Sequence, residues 1–299
     1  MNNRPLVRAI AMAIMAANGG GLLLWQRVGE CRPAPDGQPL VITVHAGSVM
    51  GKLPFLFRSG MFAYGAERVY PEYLQEKFLR DHRPGAIEFG LNHVIVWSES
   101  PADLVRRLRS QPRYDAFLKR IVQHGGTVVL SLFGMPRWLS SRPDDARPVE
   151  PGEWMPVWAA SPPADYDAWA ELVRSIVDYY SHELGLRQVE YKVWWEPEYV
   201  RWQGTEEELF KLYQSSVQGA KKADPQAAVG GPSVAGWSSI FWKHRDRAGH
   251  RPMLYNFIES AATYALSEPG HGSTPIDVLI WHDFGLVHRI INSHRVLTC

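Results

Sequence analysis

The residues best suited to chemistry lie between Tyr191 and Trp202, which reads Y-K-V-W-W-E-P-E-Y-V-R-W. Val189, Tyr191 and Val193 alternate with Glu190, Lys192 and Trp194, the period of a strand. Glu196 falls on the Glu190/Lys192/Trp194 side, and Pro197, which has no N–H to give to a ladder, ends the strand near it. The pattern therefore puts a carboxylate at the C-terminal tip of a strand, with Trp194, Trp195, Tyr199 and Trp202 around it. Apolar neighbours favour the protonated form of a carboxyl group, which suits a general acid. Aromatic rings at the same mouth suit sugars, whose C–H faces pack on them. The alternative is a strand that ends in an exposed Glu, with the tryptophans as core.

Glu198, two residues after Glu196, is expected to be a loop carboxylate contacting sugar hydroxyls rather than a nucleophile. Glu99 and the Asp144-Asp145 pair read as solvated loop acids. His282-Asp283 follows another strand and stands at the same end of the fold. The 11 His include no H-E-x-x-H or close pair, so no metal site is expected and no cofactor is called for. Ser215-Ser216 and Ser238-Ser239 lack the setting of a nucleophile elbow.

The elements that must position these groups alternate. Strands are expected near 56–64, 92–97, 127–132, 189–195, 227–230 and 276–282. Helices are expected over 70–81, after Ser100-Pro101, from Tyr114 to Val122 and along the Trp169–Tyr180 apolar stripe. A further helix follows the capping box Thr205–Glu208, and others cover 237–246, 252–266 and the stretch after Leu286. Residues 141–163 hold six prolines and form a long loop, a kind of segment that is usually functional or disordered. Strand–helix alternation implies a mostly parallel sheet, and no strand leads into G-x-G-x-x-G, which argues against a dinucleotide fold. Polar and aromatic residues cluster after the third, fourth and sixth strands, as a (β/α)8 barrel with its site at the C-terminal strand ends requires. The fold class is thus α/β, a (β/α)8 TIM barrel with about six of eight units present.

Composition narrows the partners. The chain has 299 residues, 45% hydrophobic, with a formal net charge of +1, so no nucleic-acid partner is expected. Twelve Trp, 12 Tyr and 11 Phe fit a carbohydrate cleft, and large cores use Trp too. The two Cys, Cys31 and Cys299, make no disulfide framework. Arg4 and Arg8 precede an apolar run, Ala9 to Trp25, that reads as a secretory signal or a weak anchor. The run is glycine-broken and short for a stable membrane span. The expected organisation is a signal-like or anchor segment at 1–30, a linker with a short leading strand at 31–54, and a barrel domain at 55–299. A secreted or periplasmic protein follows.

At this point the chain resembles glycoside hydrolases of the clan A type, and most closely family 39, the β-xylosidase and α-L-iduronidase group. Trp194-Trp195-Glu196-Pro197 resembles the family's W-N-E-P, and Val229-Gly230-Gly231-Pro232 its fifth-strand V-G-G-P. Trp202 to Glu207 resembles its aromatic-x-G-T-x-E, Met135 to Ser140 its P-x-W-L-S, and Asp277 to Gly285 its sixth-strand D-F-I-S-x-H-x-Y-G. The resemblance implies a retaining glycosidase acting on a glycan or polysaccharide. Glu196 would be its acid/base, Trp138, Trp195, Trp202 and His282 would line the subsite, and Glu198 and Asp283 would lie beside it. Two departures stand out. The family's Asn before the acid/base is Trp195 here, and an indole N–H donates but cannot accept. The nucleophile expected on a seventh strand is not found before Cys299, whereas a retaining mechanism needs two carboxylates about 5–5.5 Å apart. These departures favour a second reading, a carbohydrate-binding barrel relative without catalysis. The missing units also lead to the expectation of a piece of a longer parent that expresses poorly, binds a hydrophobic dye and lacks hydrolytic activity.

Overall fold

The computed structural model describes residues 60–62, 71–187, 189–236, 239–244, 251–267 and 274–281, all within one compact unit, Gly51–Asp283. The segments read as leader and linker, together with His282 and Asp283, lie outside the described residues.

Six strands form one sheet in sequence order, each parallel to the next: β1 Gly60–Phe62, β2 Ala86–Gly90, β3 Thr127–Leu132, β4 Val189–Val193, β5 Ala228–Val234 and β6 Val278–Trp281. Between them run α1 Glu72–His82, α2 Asn92–Ile95, α3 Pro101–Arg109, α4 Pro112–Gln123, α5 Val157–Ala160, α6 Tyr166–Asp178, α7 Glu206–Ala223 and α8 Met253–Ser267. Helices alternating with parallel strands in this order make a partial (β/α)8 barrel.

Local chemistry accounts for the element ends. Ser100 Oγ accepts from the Asp103 N–H and Pro101 stands at the first position of α3. Proline also opens α4, two residues before the expected start at Tyr114. Thr205 and Glu208 form the expected reciprocal capping box of α7, and its last turn carries Lys221 and Lys222.

The sheet has two differently used faces. Phe89 meets the rings of Tyr114 and Phe117 on α4, so Ile87 and Phe89 face the helices. Their alternates turn inward. Gly90, Ser131, Lys192 and Gly230 lie level across four strands. Lys192, fully buried, donates to the Glu88 carboxylate across this interior. Outside, α6 and α7 approach so closely that a Cβ on Gly219 would lie 2.0 Å from the Ala170 carbonyl oxygen. Beside that contact the buried Trp169 Nε1–H donates to Ser216 Oγ at 2.8 Å.

Two expectations are corrected. The second strand is Ala86–Gly90, and the stretch 92–97, read as a strand, opens with a short helix, Asn92–Ile95, whose Val94 and Ile95 are buried along with Val96 at its end. A short apolar run enclosed on all sides carries no period, so strand and buried helix look alike. The fourth strand stops at Val193 rather than 195, because Trp194 takes a left-handed φ of 67°.

Candidate active site

The turn after β4 is built from residues in costly conformations. Trp194 and Glu196 have φ of 67° and 47°, a region that costs non-glycine residues about 1–2 kcal/mol. Backbone ties hold them there. The Trp194 N–H donates to Leu132 O at 3.0 Å, and the Glu196 N–H donates to Ser233 O at 2.9 Å. Ser233, itself at φ 56°, sits at the irregularity where the β5–β6 register slips between Pro232 and Val234. That irregularity turns its carbonyl to the neighbouring turn, as bulges next to sites often do.

Glu196 is 9% exposed, at the C-terminal end of β4. Its Oε2 accepts from Arg201 Nη1 at 2.9 Å. The same guanidinium donates through Nη2 to Glu153 Oε1 at 3.2 Å and lies 4.5 Å from the centroid of the Trp195 ring. A planar cation between two carboxylates, stacked on an indole, is what Arg does better than Lys. Trp195 is half-buried and meets Phe133 edge-on at 5.4 Å. Phe133 also meets Trp194 and Trp154, and Trp154 is 52% exposed.

Trp138 lies on the turn after β3, half-buried, with its Nε1–H 3.4 Å from Ser98 Oγ. Glu198 is placed otherwise than expected. It is 1% exposed, and its Oε1 accepts from the Ala235 N–H. Burial pushes its carboxyl up from the ordinary carboxylate range, with the Ala235 N–H opposing. It therefore stitches the β4 turn to the end of β5 and does not meet solvent hydroxyls. Trp202 is likewise core: it is 0% exposed, its ring is 4.9 Å from that of Trp194, and its Nε1–H donates to Thr205 O at 2.7 Å. Neither side chain offers a surface to a sugar.

Sequence reasoning missed Arg201 and Glu153. Arg201 could have been suspected as the cation within an otherwise aromatic and acidic turn. Glu153 carries no local signal, because only the fold of the 141–163 loop brings it to Arg201. A pocket of about 310 Å³ opens beside them, lined by Glu150, Glu153, Tyr199, Val200, Arg201 and Trp242. Among the described residues no group of three or more His, Cys, Asp or Glu is arranged to hold a metal ion. Among the described residues, too, no helix is long and apolar enough to cross a membrane.

Residues 157–284 match the family model for glycosyl hydrolases family 39. A stretch of 83 residues is 35% identical to a β-xylosidase of Geobacillus stearothermophilus, covering 26% of this chain and 16% of that protein. Two solved structures share the fold. One is a monomeric β-xylosidase from Caulobacter crescentus CB15, with a TM-score of 0.52 at 16% identity over 77% of this chain and 42% of that one. The other is a family 39 enzyme from Xanthomonas axonopodis pv. citri, with a TM-score of 0.50 at 17% identity over 75% and 40%. The chain thus spans less than half the length of these relatives.

Proposed function

On the premise that this chain is a family-39-like relative of the clan A glycoside hydrolases, we propose that it serves a retaining glycosidase acting on a glycan or polysaccharide, with Glu196 as general acid/base. One observation supports this above the others. Glu196 stands at the C-terminal end of a barrel strand, on a strained turn tied to both neighbouring strands, which is where such folds keep their chemistry. In this role Glu196 would protonate the leaving-group oxygen while a second carboxylate, expected on a seventh strand, bonds the sugar, and would then take a proton from the water that hydrolyses that glycosyl-enzyme. Arg201 engages Oε2, so the carboxyl group is held in one orientation, and Arg201 is itself stacked on the Trp195 ring. The matched relatives named β-xylosidases make a pentose-containing glycan the first substrate to try.

The test is turnover of an aryl β-xyloside and a panel of aryl glycosides by the chain and by Glu196→Gln. General acid–base catalysis contributes about 10²–10⁴-fold, so the variant should lose that much while melting normally. Equal rates would remove Glu196 from catalysis. A second reading, glycan binding without turnover, is favoured by the indole of Trp195 where the family has Asn. It expects no turnover by either protein and equal retention of both on a glycan array. Secretion, read from the N-terminal segment, is proposed with either reading.

A further inference from the structure

The pocket beside Glu196 has a composition that selects among sugars. Two of its walls come from different parts of the chain. Glu150 and Glu153 sit on one turn of the proline-rich loop, closed by the Glu153 N–H on Glu150 O at 3.1 Å and the Val149 N–H on Met155 O at 3.0 Å. Tyr199, Val200 and Arg201 come from the turn after β4. Trp242 stands on a short 3₁₀ turn, and its Nε1–H donates to Trp202 O at 3.0 Å, which fixes the indole. The pocket is therefore built before any ligand arrives. Its volume of about 310 Å³ is at the small end of the roughly 300–1,000 Å³ of ligand pockets, room for a small ring rather than a peptide segment.

Its chemistry is carboxylate acceptors together with aromatic rings. Tyr199 is 39% exposed and Glu150 is exposed, so both reach the opening. The formal charges of the lining are two carboxylates against one guanidinium. That guanidinium is already shared between Glu153 and Glu196. An uncharged sugar finds acceptors for its hydroxyls and rings for its C–H faces. A uronate ring finds two carboxylates against one guanidinium whose charge is already shared between Glu153 and Glu196.

We infer that this pocket is a subsite for an uncharged sugar ring, adjoining Glu196, that discriminates against uronate rings. The inference rests on the glycan-directed reading above and adds the class of ring. Arg201 lines the pocket and donates to Glu196 at 2.9 Å, so a ring seated there shares a neighbour with that carboxylate.

Titration calorimetry on the full chain tests it, with xylotriose and cellotriose as neutral probes and a glucuronic-acid-substituted xylotriose as the acidic one. At least one neutral probe should bind, and the acidic probe should bind at least about tenfold more weakly. Tyr199→Ala should weaken neutral binding about tenfold, and Glu153→Gln should weaken it too. Glu150→Lys, at an exposed position, should narrow the gap between neutral and acidic probes. Cooperative melting of each variant separates these effects from misfolding. Equal affinity for both probe types overturns the inference, as does unchanged binding by Tyr199→Ala and Glu153→Gln. Failure of the folded chain to bind any probe also overturns it. Turnover that depends on Glu196 but is indifferent to Tyr199 would sink the pocket and leave the glycosidase reading standing. Pocket-dependent binding with no role for Glu196 would do the reverse.

Discussion

Trp202 and Trp154 have the same side chain and opposite fates. Trp202 is enclosed by Trp194 and the entry to α7, whereas half of Trp154 meets solvent over Phe133. Removing a buried aromatic costs about 3–5 kcal/mol, so Trp202→Ala should lower the denaturation midpoint severely. Trp154→Ala should shift it little, and equilibrium urea unfolding of the two variants measures the contrast. A large loss at Trp154 would mean that its ring braces the mouth rather than facing solvent. Glu198 makes the same point for acids. By residue type it was as eligible for a sugar hydroxyl as Glu196, and burial decided against it.

Among the elements, the α6–α7 contact is the tightest constraint. Gly219→Ala improves helix propensity by about 1 kcal/mol. The added Cβ would press on the Ala170 carbonyl, and overpacking of a close contact costs about 1–3 kcal/mol. The steric term should win, and Gly219→Ala should melt below the wild type. α7 also carries an acid at its start. Burial pushes Glu206 up from 4.5 to about 7, against the opposing hydrogen bond from Asn256. Between those two values the folded chain keeps a proton that the unfolded chain has released, so stability falls as pH rises through that window. The full effect is on the order of 3 kcal/mol by pH 8. Glu206→Gln should flatten this part of the stability–pH curve, and melting temperatures from pH 4 to 8 check it. No flattening would put the pH dependence elsewhere.

For the molecule as a whole, the barrel interior holds an ion pair, the buried Lys192 with the half-buried Glu88, where layers of aliphatic side chains are usual. Burial pushes the Lys192 amine down, and Glu88 first and then Glu196 oppose this. Breaking such a pair leaves an unpaired charge and costs about 3–5 kcal/mol, whereas replacing both partners by apolar residues is often neutral or stabilising. Lys192→Met should therefore destabilise strongly, and adding Glu88→Leu should recover most of the loss. A double-mutant cycle in urea tests this, and additive losses would show that the two side chains are not coupled.

The sequence by itself determined the alternation of strands and helices, the capping of α3 and α7, and the place of Glu196 at a strand end. Each of these is written in neighbours a few residues apart: the 2 and 3.6 periods, Ser100-Pro101 and Thr205 to Glu208; Pro197 marks only the neighbourhood of the strand end, since the left-handed Trp194 stops the ladder at Val193. Only the tertiary structure decided that 92–95 is a buried helix, because enclosure on every side erases the period by which helices and strands are told apart. It alone turned Trp202 and Glu198 inward, since Glu198 is held by the Ala235 N–H, 37 residues on, and Trp202 is covered from Trp242, 40 residues on. It alone joined Arg201 to Glu153, 48 residues apart. A charge pair across a folded loop has no spacing rule, and it exists only once the loop has closed over the turn that bears Glu196.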